Sequence, residues 1–403
     1  MKDSPHVRPA EVHGGAESSR SPSRRALLSA AAAATAAPLL SAVDADATTR
    51  QPNDLLYVGT WGQGQVYAVW FDPGRGTMTP IGPVAEVASN WVVTHPNRPV
   101  LYVAGSEQGG LIRTFHIDGT TGALRLVGTL TTEPAPTGSG GLSYIGATSD
   151  ADTPLVADFA DGSASTVPIR AAGGLGTVAS RIQDSGSGPN ERQQGPHVHH
   201  IVIDPDHRFA LVADFGADRV FVHAYDRDSR GLSAGFHSFS TAPGSGPRRL
   251  AFHPAGRTVY LLNELTADIQ VLGWEAVHGT LSPRQTLSTN APDHTGATSA
   301  AELSISQDGR HVYVSNRGGN AVVVYATDPV THLLTEVQRV PCAGVTPWSM
   351  SLHPGGRWLF VANKGSGTVN LFRVDRSSGH LTNTGRSVAV PAADCVAVRA
   401  ARM

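Results

Sequence analysis

The sequence predicts an all-β fold, a seven-bladed β-propeller with four-stranded antiparallel blades and a ring closed by the C-terminal strand. Three observations carry this expectation. A strand of one type recurs seven times along the chain. Each copy keeps register with a turn-ending strand before it and a third strand and second turn after it. The composition, with 44 Gly and 27 Pro in 403 residues and few helix-period stretches, favours short strands joined by tight turns.

Taken in order, the chain opens ahead of the repeat with Ser23-Arg24-Arg25-Ala26-Leu27-Leu28. An alanine-rich apolar run follows through Ala42, and Ala45-Asp46-Ala47 supplies small residues for cleavage. The segment reads as a twin-arginine export signal, so residues 1–47 are expected to be signal and leader and residues 48–403 the propeller, secreted or otherwise outside the cytoplasm. The apolar run falls short of the roughly 20 strongly apolar residues of a spanning helix, and no cysteine follows it for a lipid. No membrane attachment is expected after signal removal.

The recurring strand reads LLYVGTW from Leu55, VLYVAGS from Val100, PLVADF from Pro154, ALVADF from Ala210, VYLLNE from Val259, VYVSNR from Val312 and LFVANK from Leu359. The intervals, about 45 to 56 residues, match one propeller blade. Ahead of it stand VVTHPNRP, IVIDPDHR, LAFHPAGR, LSISQDGR and MSLHPGGR, whose Pro, Asp and Gly suit hairpins. After it come FHIDGTTGAL, WEAVHGTL and FRVDRSSGHL, a third strand and a turn that leads into a fourth. The copy around Asp161 to Gly176 is the least regular. At the end, Cys395 to Ala400 reads as a first strand with no second behind it, while Leu55 to Trp61 is a second strand with no first. Pairing them closes the ring and removes two exposed edges.

Composition narrows the partners. The chain is 40% hydrophobic and 16% charged with net charge -2, so it has a core and no basic field for nucleic acid or anionic lipid. A monomer with a small-molecule partner is expected. With only Cys342 and Cys395 there is no disulfide framework or cysteine-rich metal cluster; one bridge or two free thiols fit, and free thiols are the expectation.

The blade register then places candidate site residues. The start of the first strand and the end of the antiparallel second strand meet at one mouth of the channel. Counting back five from the turn residues Asp204, His253, Ser306 and His353 gives His199, Arg248, Ala301 and Trp348 at equivalent positions. The strand-end column is Thr60, Gly105, Asp158, Asp214, Asn263, Asn316 and Asn363, a structural set suited to strand ends. The next column, which includes Trp61, Phe159, Phe215, Glu264, Arg317 and Lys364, varies in charge and size as a site-building position does. In QQGPHVHH, His197 and His199 alternate with Val198 and are expected on one face, with His200 on the other. A zinc site on that pair needs a third ligand and an open position. Only Glu264 and Glu302 are in register and no further His or Cys, so no metal and no cofactor is expected. A lone His199 would read as a loop-closing histidine; with Arg248, Glu264 and Arg317 converging it reads as part of a functional site.

In these residues the chain resembles the bacterial lactonase family of seven-bladed propellers, which includes propeller-type 6-phosphogluconolactonases and the fungal carboxy-muconate cycloisomerase. The likeness runs through GPHVHHIVIDPDHRFALVADFGADRVFVHAYD, GSGPRRLAFHPAGRTVYLLNELTADIQV, AAELSISQDGRHVYVSNRGGNAVVVY and TPWSMSLHPGGRWLFVANKGSGTVNLFRVD, and covers nearly the whole chain after the leader. It implies a site at His199 in the HxH segment, Arg248 in GPRR, Glu264 in LLNE and Arg317 in SNRG. Trp61 and Phe159 stand where a phosphate site would want cations.

Together these readings predict metal-independent hydrolysis of a sugar-type lactone by a carboxylic ester hydrolase. His199 is the expected general base. Arg248 and Arg317 are to hold the developing oxyanion or a substrate carboxylate, and Glu264 to orient a donor or return a proton to the leaving alkoxide. His197, Lys364, Glu302 and Trp348 are the expected substrate-binding residues. Two rivals are lactone formation from an unsaturated dicarboxylate at the same residues, and a secreted propeller that binds a ligand or protein without chemistry.

Overall fold

The computed structural model describes residues 53–105, 110–132, 141–147 and 152–401. The expected export signal and leader lie outside the described residues. The described residues form seven four-stranded antiparallel sheets, each a blade of a seven-bladed propeller. Blade numbers below follow the recurring strand in chain order, and strands run from inner to outer.

The recurring strand is second in every blade, and it is buried on both faces. In Phe209–Asp214, Thr258–Asn263 and His311–Asn316 every residue is buried. Neighbouring blades cover the two faces, so these strands read as apolar runs rather than as an alternation. Seven apolar clusters result, one between each pair of adjacent blades around the ring. Each fully buried Val, Leu or Phe there contributes about 1.5–3 kcal/mol relative to exposure. The outer strands, such as Thr280–Ser288, instead alternate exposed and half-buried positions.

Blade 1 is assembled from both ends of the propeller domain. Its inner strand Ala393–Arg399 pairs antiparallel with Asp54–Thr60, from Leu55 opposite Arg399 to Thr60 opposite Ala393. The expected closure is therefore present, and Leu56, Val58 and Val396 pack on Phe360 and Ala362 of blade 7 to seal the seam. Blade 3 is the reduced one: its two outer strands, Ser163–Thr166 and Ser180–Gln183, have four residues each. Cys342 and Cys395 are buried free thiols.

One irregularity at the start of the inner strands matters for function. The register slips between Leu142 and Tyr144, Val198 and His200, Pro247 and Arg249, Ala300 and Leu303, and Pro347 and Ser349, and in blade 1 opposite the step from Gly59 to Thr60, where Cys395 and Ala393 leave out Asp394. Each slip is a β-bulge, which leaves Ser143, His199, Arg248, Trp348 and Asp394 unpaired and re-aims the side chain. The expected alternation of His197 and His199 fails for this reason. His199 is the bulged residue, and His197 precedes the strand, stacked on Phe159 with ring centroids 4.6 Å apart.

Candidate active site

The mouth of the channel is built from these bulges and from the ends of the second strands. The Asn/Asp column at those ends is structural. Asp214 Oδ1 accepts from the backbone N–H of His197, Gly216 and Ala217, Asn316 Oδ1 accepts from Gly319 N–H, and Asn363 donates to Cys342 O. These side chains fix the turn that presents the next residue. That residue is Phe215, Arg317 and Lys364 in these three cases, and Phe159 and Glu264 after Asp158 and Asn263.

A cavity of about 300 Å³ opens between the two sets of residues, lined among others by His199, Arg248, Glu264, Arg317 and Trp348. Blades 4, 5 and 6 thus bring together all four residues expected to do the chemistry. Glu264 is the hub. Arg248 Nε stands 3.1 Å from its Oε2, while Arg317 Nη2 at 2.9 Å and Arg192 Nη1 at 2.8 Å share Oε1. Arg317 is also held by Ser299 Oγ, 2.7 Å from Nη2 and 3.0 Å from Nε, and its guanidinium lies 4.4 Å from the Trp348 ring centroid. Arg248 Nη1 reaches the His199 ring, 2.7 Å from Nε2 and 3.3 Å from Nδ1.

Burial and neighbouring charge fix the protonation states. Burial pushes the Glu264 carboxyl up, but Arg317, Arg248 and Arg192 overcome it and hold the group down at about 2. Glu264 is therefore ionised at neutral pH and has no proton to return to an alkoxide; of the two roles expected for it, orienting donors is the one its environment permits. Burial lowers Arg248 to about 9, partly offset by Glu264, so it stays cationic. His199 falls well below the ordinary imidazole value through burial and then through Arg248 and Arg249. It stands as neutral imidazole.

Of the residues expected to bind substrate, Trp348 lines the cavity, and His197, Glu302 and Lys364 do not. His197 Nδ1 is engaged by Phe159 O at 2.6 Å. Lys364 lies behind the wall, its Nζ 3.9 Å from the ring centroid of Trp348 and 4.3 Å from that of Trp61. Glu302 sits beneath, paired with Arg249. Among the described residues no three His, Cys, Asp or Glu side chains converge as metal ligands would.

The cavity also holds residues that strand counting did not select. Asn90 lies five before the turn residue His95 and was reachable by the same count. Ser143 was not, because the segment ATSDADTP at the end of its strand does not match the HPxxR or DPDHR type of turn from which the count is made. Arg192 arrives from the loop before the inner strand of blade 4, where buried Gln193 anchors the chain by donating to Phe215 O and Asp218 Oδ1, both at 2.7 Å. Its guanidinium lies 4.6 Å from the Phe215 ring centroid. Arg249 was hidden by the bulge, since strict alternation would turn it away from Arg248.

Comparison with known proteins places the fold in a family. The family described as "Lactonase, 7-bladed beta-propeller" matches residues 55–398. The 6-phosphogluconolactonase of Bacillus subtilis is 29% identical, the match covering 84% of this chain and 97% of that protein. The structure of the periplasmic gluconolactonase of Pseudomonas aeruginosa superposes with a TM-score of 0.79 at 30% identity, covering 86% of this chain and 99% of that one. A structure from Lactobacillus plantarum gives 0.77 at 27% identity over 86% of this chain and 99% of the other.

Proposed function

We propose, from the premise that the chain belongs to the lactonase family of seven-bladed β-propellers, that it is an exported, metal-independent hydrolase of sugar-type lactones. The observation that carries this reading is the convergence of Arg248, Arg317 and Arg192 on the one buried carboxylate of Glu264, with neutral His199 against Arg248.

Hydrolysis of a lactone places negative charge on the carbonyl oxygen as water attacks. The guanidiniums that Glu264 holds in place are donors for that oxygen, and a preorganised donor of this kind accounts for about 10²–10³ in rate. Arg248 links the two halves of the reaction. While it donates to His199 the imidazole lone pair is occupied; when it turns to the substrate carbonyl, Nε2 is freed to accept a proton from water. Hydroxide character on the water oxygen then forms the new C–O bond, and the carbonyl π pair moves to oxygen. Collapse breaks the ring C–O bond, and the leaving alkoxide takes the proton from imidazolium. The products are a hydroxyl group and a carboxylic acid, which releases its proton to solvent. Imidazolium next to Arg248 is disfavoured, so His199 gives the proton up readily. A positioned base adds about 10²–10⁴.

Trp61, Trp91, Phe159 and Trp348 line the same cavity and offer flat faces to a sugar ring. The periplasmic gluconolactonase named above supports both the sugar substrate and the export. The test is a panel of aldonolactones given to the purified protein with and without chelator. Ring opening unaffected by chelator is expected; no turnover of any lactone would leave a binding propeller in its place. Secretion should require Arg24 and Arg25, and a double lysine variant exported in normal amount would remove the twin-arginine reading.

A further inference from the structure

Two consecutive arginines of one strand, Arg248 and Arg249, line the same cavity and are both buried. Neighbours on a regular strand point to opposite faces. The bulge at Arg248 makes the shared cavity available to both. Their surroundings differ. Arg248 has Glu264 and His199. Arg249 reaches across the channel, its guanidinium 4.0 Å from the ring centroid of Trp91 in blade 2 and 5.1 Å from that of Tyr144 in blade 3, with Nε 3.3 Å from Glu302 Oε2 of blade 6.

Nη1 of Arg249 makes no hydrogen bond, and Nε has only the 3.3 Å ion pair with Glu302. Buried donors are nearly always satisfied, and Arg249 is part of the wall of a cavity that Trp91 and Asn90 also line. The charge around it is also unbalanced. Arg192, Arg248, Arg249 and Arg317 all line the cavity, while the carboxylates that face them are Glu264 and, beneath Arg249, Glu302. With His199 neutral, cations outnumber anions. The group that would complete the site is anionic, carries two coplanar acceptors for a guanidinium edge, and belongs to the ligand.

We propose that Arg249 is a specificity-determining residue that binds a free carboxylate of the substrate, one distinct from the lactone carbonyl, so that the preferred substrates are lactones of acidic sugars that bear a second acid group. This rests on the lactonase reading and extends it to substrate class. The Trp91 ring, 4.0 Å away, and Glu302 on the Nε side hold the guanidinium at the cavity wall. A planar fork matches a carboxylate in two parallel bonds.

The experiment measures binding without turnover, so that it separates this inference from the lactonase reading. The purified protein is titrated calorimetrically with gluconate, with glucarate, which adds a second carboxylate at the far end, and with gluconate 6-phosphate. Wild type should bind glucarate about 10- to 100-fold more tightly than gluconate, the worth of one charged hydrogen-bonded contact, and more tightly than the phosphate ester. Arg249→Gln should abolish the difference between glucarate and gluconate while leaving gluconate binding within a few-fold. Because that variant strands Glu302, the double variant Arg249→Gln/Glu302→Gln, which removes both charges, serves if the single one is unstable, with the same loss expected. Equal binding of gluconate and glucarate by wild type, a preference for the phosphate ester, or a glucarate preference that survives in the folded variant would each overturn the proposal. Arg249-dependent glucarate binding by a protein that opens no lactone would sink the lactonase reading and leave the anchor standing.

Discussion

Histidines stand at both ends of the inner strands, and the two ends use them differently. At the mouth, His199 occupies a bulge, leaves the ladder and meets a guanidinium in a cavity. Five or so residues further along equivalent strands, His95, His253 and His353 close hairpins. Each accepts a backbone N–H two residues on through Nδ1, at 3.0, 3.1 and 2.9 Å, and each donates its own backbone N–H to the far strand at 2.9 Å. In other blades Asp204 and Ser306 do the same work with Oδ1 and Oγ. The turn end tolerates any side chain with a well-placed acceptor. The mouth end does not repeat: Ser143, His199, Arg248, Trp348 and Asp394 stand there in different blades, and the bulges of the first four each supply a different part of one cavity. Position in the repeat, and not residue type, separates a histidine that closes a turn from one that lines the cavity.

The strongest test of this contrast removes the hub of the mouth. Glu264→Gln leaves three guanidiniums without their shared carboxylate, and breaking a buried pair in this way costs about 3–5 kcal/mol. We expect lactone opening to fall by roughly three powers of ten, since both the charge and the orientation of the oxyanion donors go, together with a clear drop in Tm. A variant with wild-type turnover would mean that the arginine cluster is not the working part of the mouth.

His199→Ala comes next. Loss of a positioned base is expected to lower kcat/KM by about 10²–10³, with Tm little changed because His199 closes no turn. The paired experiment at the other end is His353→Ala. There the ring also donates Nε2–H to Asp54 at 2.7 Å, across the seam between blades 7 and 1, so truncation leaves buried Asp54 with Ala401 N–H as its remaining partner. A loss of about 1–3 kcal/mol in unfolding free energy with unchanged kcat/KM is expected. If His353→Ala cuts turnover as His199→Ala does, the division between the two ends fails.

Much of this was legible in the sequence, for a definite reason. Seven near-copies of one buried strand fix the fold, because a strand packed on both faces is forced to be apolar throughout and so becomes visible as a motif, as in ALVADF and VYLLNE. Counting from the turns reached His199, Arg248 and Trp348 since the five-residue spacing is set by those same strands. What stayed hidden was whatever depends on a bulge or on a loop. Arg249 was hidden because a one-residue slip, invisible in a sequence of alternating character, puts two neighbours in one cavity. Arg192 was hidden because its place is set by Gln193 anchoring an irregular segment, and His197 was misplaced because it ends a loop and does not begin the strand.

The smallest expected effect lies in the pH dependence of stability, and it sharpens the comparison because both ends contribute with the same sign and different size. His199 and His200 are held well below the ordinary imidazole value of 6.5, chiefly by burial and then by Arg248 and Arg249. His253 is lowered too, by burial and by the stacked ring of His332, 3.8 Å away, but with no guanidinium among its causes. A histidine whose folded pKa is depressed binds a proton in the unfolded chain first. Its contribution is therefore complete above pH 6.5 and is lost as pH falls from there towards the folded pKa, with a slope of up to about 1.4 kcal/mol per pH unit for each such group. Denaturant melts between pH 5 and 7 should carry this loss as a slope, set against the opposite contribution of Asp214 and Asp394, which burial raises to about 6 and about 7. His199→Ala should flatten that slope, and His253→Ala should flatten it less. The slope, not the absolute stability, is the readout, since either variant alters packing at all pH values. Equal flattening by both would show that neither the deeper burial of His199 nor the guanidiniums beside it set it apart from His253.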